Sequence, residues 1–360
     1  MKIFITGGAG FIGCNCAKYF LDRGHVVVVF DNLSRIGTHL NLDWLKSLGK
    51  FQFIKGDIRD ADFLEKYFKD NRDVDVVFHF AAQTAVTTSI TNPRQDFEIN
   101  ALGTLNLLEA IRNSDSDPIV IYSSTNKVYG NLDYLNIRSN GTRYELVDYP
   151  QGISEDFQLD FHSPYGCSKG AADQYVRDYH RIYGMKTVVF RQSCIYGPRQ
   201  FGVEDQGWVA WFIMSALKGK PITIYGDGRQ VRDVLHIYDL LRAYSIAIDN
   251  IKFIQNNIYN IGGGPDNQLS LLQLIEMINR QTGMGMGYKF DSWRAGDQKI
   301  FCSNNMKLEK ELGWQIHEKY GDGIVTLFNW IKDNIALFQN ITQKIEPPFG
   351  KKMRVLPEKQ

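Results

Sequence analysis

The chain has 360 residues, 44% hydrophobic and 22% charged, with a formal net charge of +1, a composition of soluble globular proteins long enough to bury a full core. That charge gives no electrostatic reason for binding nucleic acid or a membrane surface, and no run approaches the ~18 apolar residues of a bilayer span. Five scattered cysteines (Cys14, Cys16, Cys167, Cys194 and Cys302) have no paired spacing or nearby histidine cluster, so they read as reduced thiols, with neither a disulfide framework nor a metal site.

The first apolar segment begins at Lys2, leaving no room for a signal peptide, so a cytoplasmic enzyme with small-molecule partners is the expectation. Short β-branched runs then alternate with segments of helical period: KIFIT, FIGCNCAKYFLDRG, VVVVF, FQFIKG, ADFLEKYFKD, VDVVFHFAA, LGTLNLLEAIRN and PIVIYSS. Strands without in/out alternation are buried on both faces, which predicts a Rossmann-type, doubly wound α/β fold with a parallel sheet. Residues 131–162, rich in Asn, Asp, Tyr and Gly, interrupt the pattern as a long ordered insertion. SPYGCSKGAADQYVRDYHRIYG restores helical period, with Ser163 a plausible N-cap and Pro164 in the first turn. The expected organisation is a dinucleotide-binding domain over 1–196, a smaller mixed α/β unit over 197–338 that mainly binds substrate, and a tail over 339–360.

TGGAGFIGCN places Gly7, Gly10 and Gly13 between the first strand and the first helix, with Phe11 and Ile12 opening that helix. Glycine there permits a tight turn and close approach of backbone to a pyrophosphate, whose charge the helix amides stabilise. Asp31 ends the second strand where a carboxylate can accept from ribose hydroxyls, which favours NAD over NADP, and Asn32 follows it; Arg35 reads as a solvated loop residue. Asp57 and Ile58 after the third strand are candidates for the adenine, although Asp57 also suits a helix N-cap. Ala81 and Ala82 are small enough to border the nicotinamide ribose, and Asn100 is either a support for that region or a buried structural amide.

Tyr165 and Lys169 stand four residues apart on one helix face. An ammonium near a phenol whose pKa is ordinarily ~10 favours the phenolate, making the pair a candidate acid/base catalyst. At the end of the fifth strand Ser123, Ser124 and Thr125 supply hydroxyls, of which Thr125, with Ser124 sharing the task, can bond the oxygen that Tyr165 deprotonates.

These motifs, together with GDGRQVRDVLHIYDL and RAGDQ, resemble the extended short-chain dehydrogenase/reductase family over residues 1 to about 335. The resemblance implies NAD on Gly7, Gly10, Gly13 and Asp31, with Ser123 and the Tyr165–Lys169 pair also facing the cofactor, and reversible hydride transfer by Thr125, Tyr165 and Lys169. It puts Arg232 and Arg294 on a nucleotide-sugar diphosphate, a role that bidentate guanidinium groups suit. Gln206 and Trp208 are candidates for lining the nucleotide side. Family members that eliminate water resemble STDEVYG, whereas this chain has Asn126–Lys127 in place of the acid pair, which argues against dehydration. YSSTNKVYG, the long Tyr-rich insertion before LDFHSPYGCSKGAADQY, and YGPRQFGVEDQGW resemble the nucleotide-sugar 2-epimerases within that family, which implies an epimerase that oxidises C2 of a CDP- or GDP-hexose and retains its NAD; C4 of a UDP-sugar is the alternative. A dinucleotide sensor without activity is more remote, because it needs neither Tyr165 nor Lys169. Relatives pair through helices, so a homodimer or higher homo-oligomer is implied.

Overall fold

The computed structural model describes residues 1–294 and 296–339, so the expected 339–360 tail lies, but for its first residue, outside the described residues. Seven parallel strands form the main sheet: β1 (Lys2–Thr6), β2 (Val26–Asp31), β3 (Gln52–Lys55), β4 (Val76–His79), β5 (Ile119–Thr125), β6 (Thr187–Gln192) and β7 (Asn257–Ile261). Their spatial order is β7-β6-β5-β4-β1-β2-β3, which reverses direction beside β1 and opens a crevice at the strands' carboxyl ends.

Alternate side chains of each strand feed the two faces. Ile3, Ile5, Val27 and Val29 pack with α1 (Phe11–Leu21), while Phe4, Val28 and Phe30 pack with the opposite helical layer. That second layer includes α2 (Gly103–Arg112) and α3 (Ser163–Tyr183), through Leu107, Leu108, Ala172 and Val176. Both faces are dry, as the unalternating apolar strands required.

Beyond residue 196 the chain returns to the first sheet before completing the smaller unit. Helix α4 (Ile237–Asp249) packs Leu240, Leu241 and Tyr244 beneath the sheet, and β7 pairs with β6 from Asn257↔Val188 to Ile261↔Gln192. A smaller unit surrounds these segments. It has a four-stranded sheet, whose strands include Val231–His236, and the pair Ile222–Tyr225 with Tyr288–Asp291, packed on helices Trp208–Leu217, Leu271–Thr282 and Tyr320–Asp333.

The 131–162 insertion is ordered by its own apolar residues. Leu132, Leu135 and Ile153 bury with Val128, Tyr129 and Phe301, and a hairpin joins Ile137–Ser139 to Tyr144–Leu146. Main-chain bonds from Tyr144 to Arg229 (3.1 Å) and from Ile153 to Cys302 (2.8 Å) fasten it to the smaller unit. Among the described residues, no helix is long and apolar enough to cross a membrane, and no group of His, Cys, Asp and Glu is arranged to hold a metal ion.

Candidate active site

The glycine turn fits closely against the end of β4. A Cβ on Gly7 would lie 2.7 Å from the Ala81 nitrogen, and one on Gly13 would lie 2.2 Å from the Gly7 carbonyl oxygen. Gly7 also has φ +66°, a left-handed conformation that glycine adopts without strain. Helix α1 starts after Gly10, and no side chain caps it, so its first-turn amides remain available to an anion at the positive end of the helix dipole. Asp31 lies beside this turn, its two oxygens accepting from the amides of Ala9 (3.0 Å) and Leu33 (2.7 Å). Burial raises its pKa and those amides oppose the rise. Bare helix amides beside a buried acid, with glycines where no side chain fits, match the chemistry of a dinucleotide's pyrophosphate and ribose.

Other expected cofactor residues have mixed placements. Phe11 lines a small cavity with Gly10, Arg35 and Gln206, whereas Ile12 packs partly against the core. Asn32 donates to Asp57 at 2.9 Å, and Asp57 also takes two bonds from Arg59 at 2.9 Å, which hold its carboxyl well below the usual range. The helix cap considered for Asp57 belongs to Asp60, whose side chain accepts from the Phe63 amide. Ile58 is buried against Gly103. Asn100 is a structural amide: its nitrogen donates to Gln83, Asp96 and Ser168, its oxygen accepts from the Gln83 amide, and it sits in a π-helical turn over Glu98–Leu102. It therefore fixes the loop after β4, where Ala81 and Ala82 lie, and ties that loop to α3.

Tyr165 is placed by its helix turn. Its amide donates to the Ser89 hydroxyl (3.1 Å) and the Ser163 hydroxyl accepts from the Gly166 amide (3.2 Å), while its phenol lies near enough to Thr125 for that side chain to favour the phenolate. Thr125 also accepts from the Lys127 amide at 3.2 Å. Burial pushes the phenol up to about 12, with Asp96 adding to the rise and Arg35 opposing it.

Lys169 departs from the expected geometry. Its ammonium donates to the Ser123 carbonyl at 2.6 Å and lies 4.3 Å from the centre of the Tyr122 ring, so it is not spent on the tyrosine oxygen. Burial lowers it to about 7, against the charges of Asp173 and Asp96. Ser123 thus contributes its carbonyl to the lysine.

Ser124 faces the other way, as strand alternation requires, and donates to Asp173 at 2.7 Å. Asp173 in turn forms a buried two-bond pair with Arg191, both at 3.0 Å. The expected catalytic share for Ser124 is corrected to a structural one. Arg35 is corrected as well, because it is no solvated loop residue: it bonds Thr84 (2.7 Å) and Gln206 inside the cleft.

On the substrate side the two arginines differ. Arg232 bonds only its neighbour's carbonyl, Val231, at 2.7 Å, and among the described residues no carboxylate comes within ion-pairing distance. Its sequence neighbour Asp233 points inward to Ser193 and to the amides of Gly264 and Ser303. Arg294 pairs with Asp205 (3.1 Å) and Glu204 (3.7 Å) and stacks over Tyr225. Trp208 donates to the Cys194 sulfur at 3.4 Å at the start of its helix.

The model of the NAD dependent epimerase/dehydratase family matches residues 3–262. The chain belongs to that family. CDP-paratose 2-epimerase of Salmonella typhi is 48% identical over 92% of this chain and 99% of its own. A putative UDP-glucose 4-epimerase of Methanocaldococcus jannaschii is 34% identical over 92% of this chain and 99% of its own. Among solved structures, UDP-glucuronic acid 4-epimerase from Bacillus cereus, in complex with UDP-glucuronic acid and NAD, is similar at TM-score 0.80 and 30% identity, covering 93% of this chain and 100% of that one. For this family member, sequence reasoning missed Asp96, which with Ser168 and Gln83 braces the Tyr165 helix, because nothing in PRQDFEIN distinguishes a buried carboxylate from a surface one.

Proposed function

We propose that the protein is an NAD-dependent 2-epimerase of a nucleotide-activated hexose, acting on a CDP-sugar of the CDP-paratose kind. The observation that carries the reading is the placement of Thr125 at the carboxyl end of β5 with Tyr165 close to it, beside a glycine turn shaped for a dinucleotide. The 48% identical relative named CDP-paratose 2-epimerase supports C2 and cytidine. Asp31 supports NAD, since a 2′-phosphate beside that carboxylate meets a like charge.

Tyr165 takes the proton of the C2 hydroxyl as the C2–H bond breaks, while Thr125 holds the same oxygen. When bound, NAD supplies the two-electron oxidant for that carbon and, in its oxidised form, a positive ring that favours the phenolate. The 2-keto sugar turns in the pocket, hydrogen returns to its other face, and Tyr165 gives the proton back. Asn126 and Lys127 leave the site without the carboxylic acid that elimination of water needs; Asn126 instead donates to Gln298 at 3.2 Å.

A homodimer is part of this proposal. Exposed Phe97, Leu102, Tyr175, Ile182 and Tyr183 lie on helical segments that pack against one another, and a second copy of the same face covers them. The reading is tested by offering the purified protein CDP-paratose, UDP-glucose and UDP-glucuronic acid and locating the inverted carbon by NMR. Inversion at C2 of the CDP-sugar is expected, and inversion at C4 alone overturns it.

A further inference from the structure

Residues 198–206 connect a strand of the smaller unit, Cys194–Tyr196, to the helix Trp208–Leu217 and cross the glycine turn on the way. The hydride chemistry uses none of them. Three polar side chains from the main-sheet side hold the crossing in place. Asn15 of α1 donates to the Pro198 carbonyl at 3.0 Å. Asn41 donates to the Ala9 carbonyl inside the glycine turn (3.1 Å) and to the Arg199 carbonyl (3.4 Å). Arg35, in the loop after β2, donates to Thr84 at 2.7 Å and to the side-chain oxygen of Gln206.

Packing holds the same segment. The Arg199 guanidinium lies 4.3 Å from the centre of the Trp44 ring, on the helix Thr38–Leu48, and 5.5 Å from that of Trp330, on the helix Tyr320–Asp333, so one cation bridges both sides of the cleft. Phe201 is buried against Gly37, where a Cβ would come within 2.3 Å of its ring. Arg199 has φ +70°, a left-handed conformation that is costly for a residue with a side chain, so long-range contacts and not local preference set the path. Between the segment and the turn remains a cavity of about 20 Å³, lined by Gly10 and Phe11 of the turn and by Arg199, Gln200 and Gln206 of the segment. That is room for about one water.

We propose that residues 198–206 are a strap over the dinucleotide's pyrophosphate, fastened by the Arg35–Gln206 contact, that keeps NAD in place from one half of the reaction to the other. The inference rests on the reading that NAD binds at the glycine turn and is retained, and not on which sugar carbon is inverted. A pyrophosphate on the first-turn amides of α1 lies beneath the strap, and a gap the size of one water does not pass a phosphate. Departure therefore requires the strap to lift, which breaks the Arg35–Gln206 contact and uncovers Asn15 and Asn41. A strap that must open for passage in either direction slows entry and exit alike. A side chain that only touches the dinucleotide slows its exit and leaves its entry nearly unchanged.

The test measures uptake and release of radiolabelled NAD, without any sugar nucleotide, in wild type, Gln206→Ala and Gln206→Glu, with a chase of unlabelled NAD for release. Losing a hydrogen bond to a charged group is expected to speed release and uptake in Gln206→Ala by about 10- to 100-fold each, with the ratio of the two changed less than about threefold. Release within about twofold of wild type overturns the strap, and so does faster release with unchanged uptake, which marks Gln206 as a simple contact to the dinucleotide. Gln206→Glu keeps the size and the acceptor and gives Arg35 a counter-charge, so it carries the test even if the alanine protein does not fold. It is expected to release NAD more slowly than wild type, by about threefold or more, and release as fast as wild type or faster overturns the fastening. Wild type that takes up no NAD removes the cofactor reading and the strap with it, an outcome distinct from NAD that binds and exchanges at an unchanged rate in the variants.

Discussion

Replacing Asp173 by Asn separates the structural and chemical parts of the site. Asp173 is fully buried and bonds both Nε and Nη2 of Arg191, itself 2% exposed, while accepting from Ser124. Asparagine keeps the volume but leaves the guanidinium without its counter-charge, a loss of about 3–5 kcal/mol for a broken buried pair. Spread over 360 residues, an unfolding entropy of about 2.1 cal/mol/K per residue converts that loss into a melting temperature lower by roughly 4–7 °C. Circular dichroism melts of the NAD-loaded protein read this directly. Asp173 also supports the charge of Lys169 against burial, so the alkaline fall of kcat/KM moves to lower pH in the variant. Ser124→Ala is the companion: losing one hydrogen bond of about 1 kcal/mol lowers the melting temperature by only about 1–2 °C and leaves kcat near wild type. An Asp173→Asn protein melting within about 1 °C of wild type, or a Ser124→Ala protein without activity, refutes the division of roles drawn from this geometry.

Other changes test single groups. Tyr165→Phe removes the proton carrier while leaving the helix intact, and is expected to lower kcat by about 10²–10⁴-fold with CDP affinity unchanged; activity within twofold of wild type sinks the assignment. Gly13→Ala forces a methyl group to within 2.2 Å of the Gly7 carbonyl, so the purified protein should carry less nucleotide, as measured by absorbance after heat release. Full nucleotide content there argues against pyrophosphate at this turn.

The parts of the candidate site legible in the sequence were those fixed by local chemistry. A glycine triad between a strand and a helix admits few alternatives, and Tyr165 with Lys169 shares a helix face by spacing alone. Long-range partners decided the rest. Lys169 reaches Ser123 and the Tyr122 ring, neighbours supplied by β5 and invisible along α3. Three acids in GDIRDAD look equivalent in sequence, yet only Asp60 has the position to cap, and Asp57 is claimed by Arg59 and Asn32. The opposite orientation of Ser124 and Thr125 follows from the two-residue period of a strand and was within reach of the sequence. The return of the chain to the first sheet at Asn257–Ile261 was not, because a short apolar strand carries no mark of the sheet it joins.

Isotope tracing reaches the central claim most directly. CDP-paratose labelled with deuterium at C2 is incubated with the protein in ordinary water, and the product is examined by NMR. Oxidation and reduction at one carbon, with the cofactor retained, predict inverted C2 that still carries its deuterium. Loss of that deuterium to solvent, or inversion at C4 with C2 unchanged, contradicts the account.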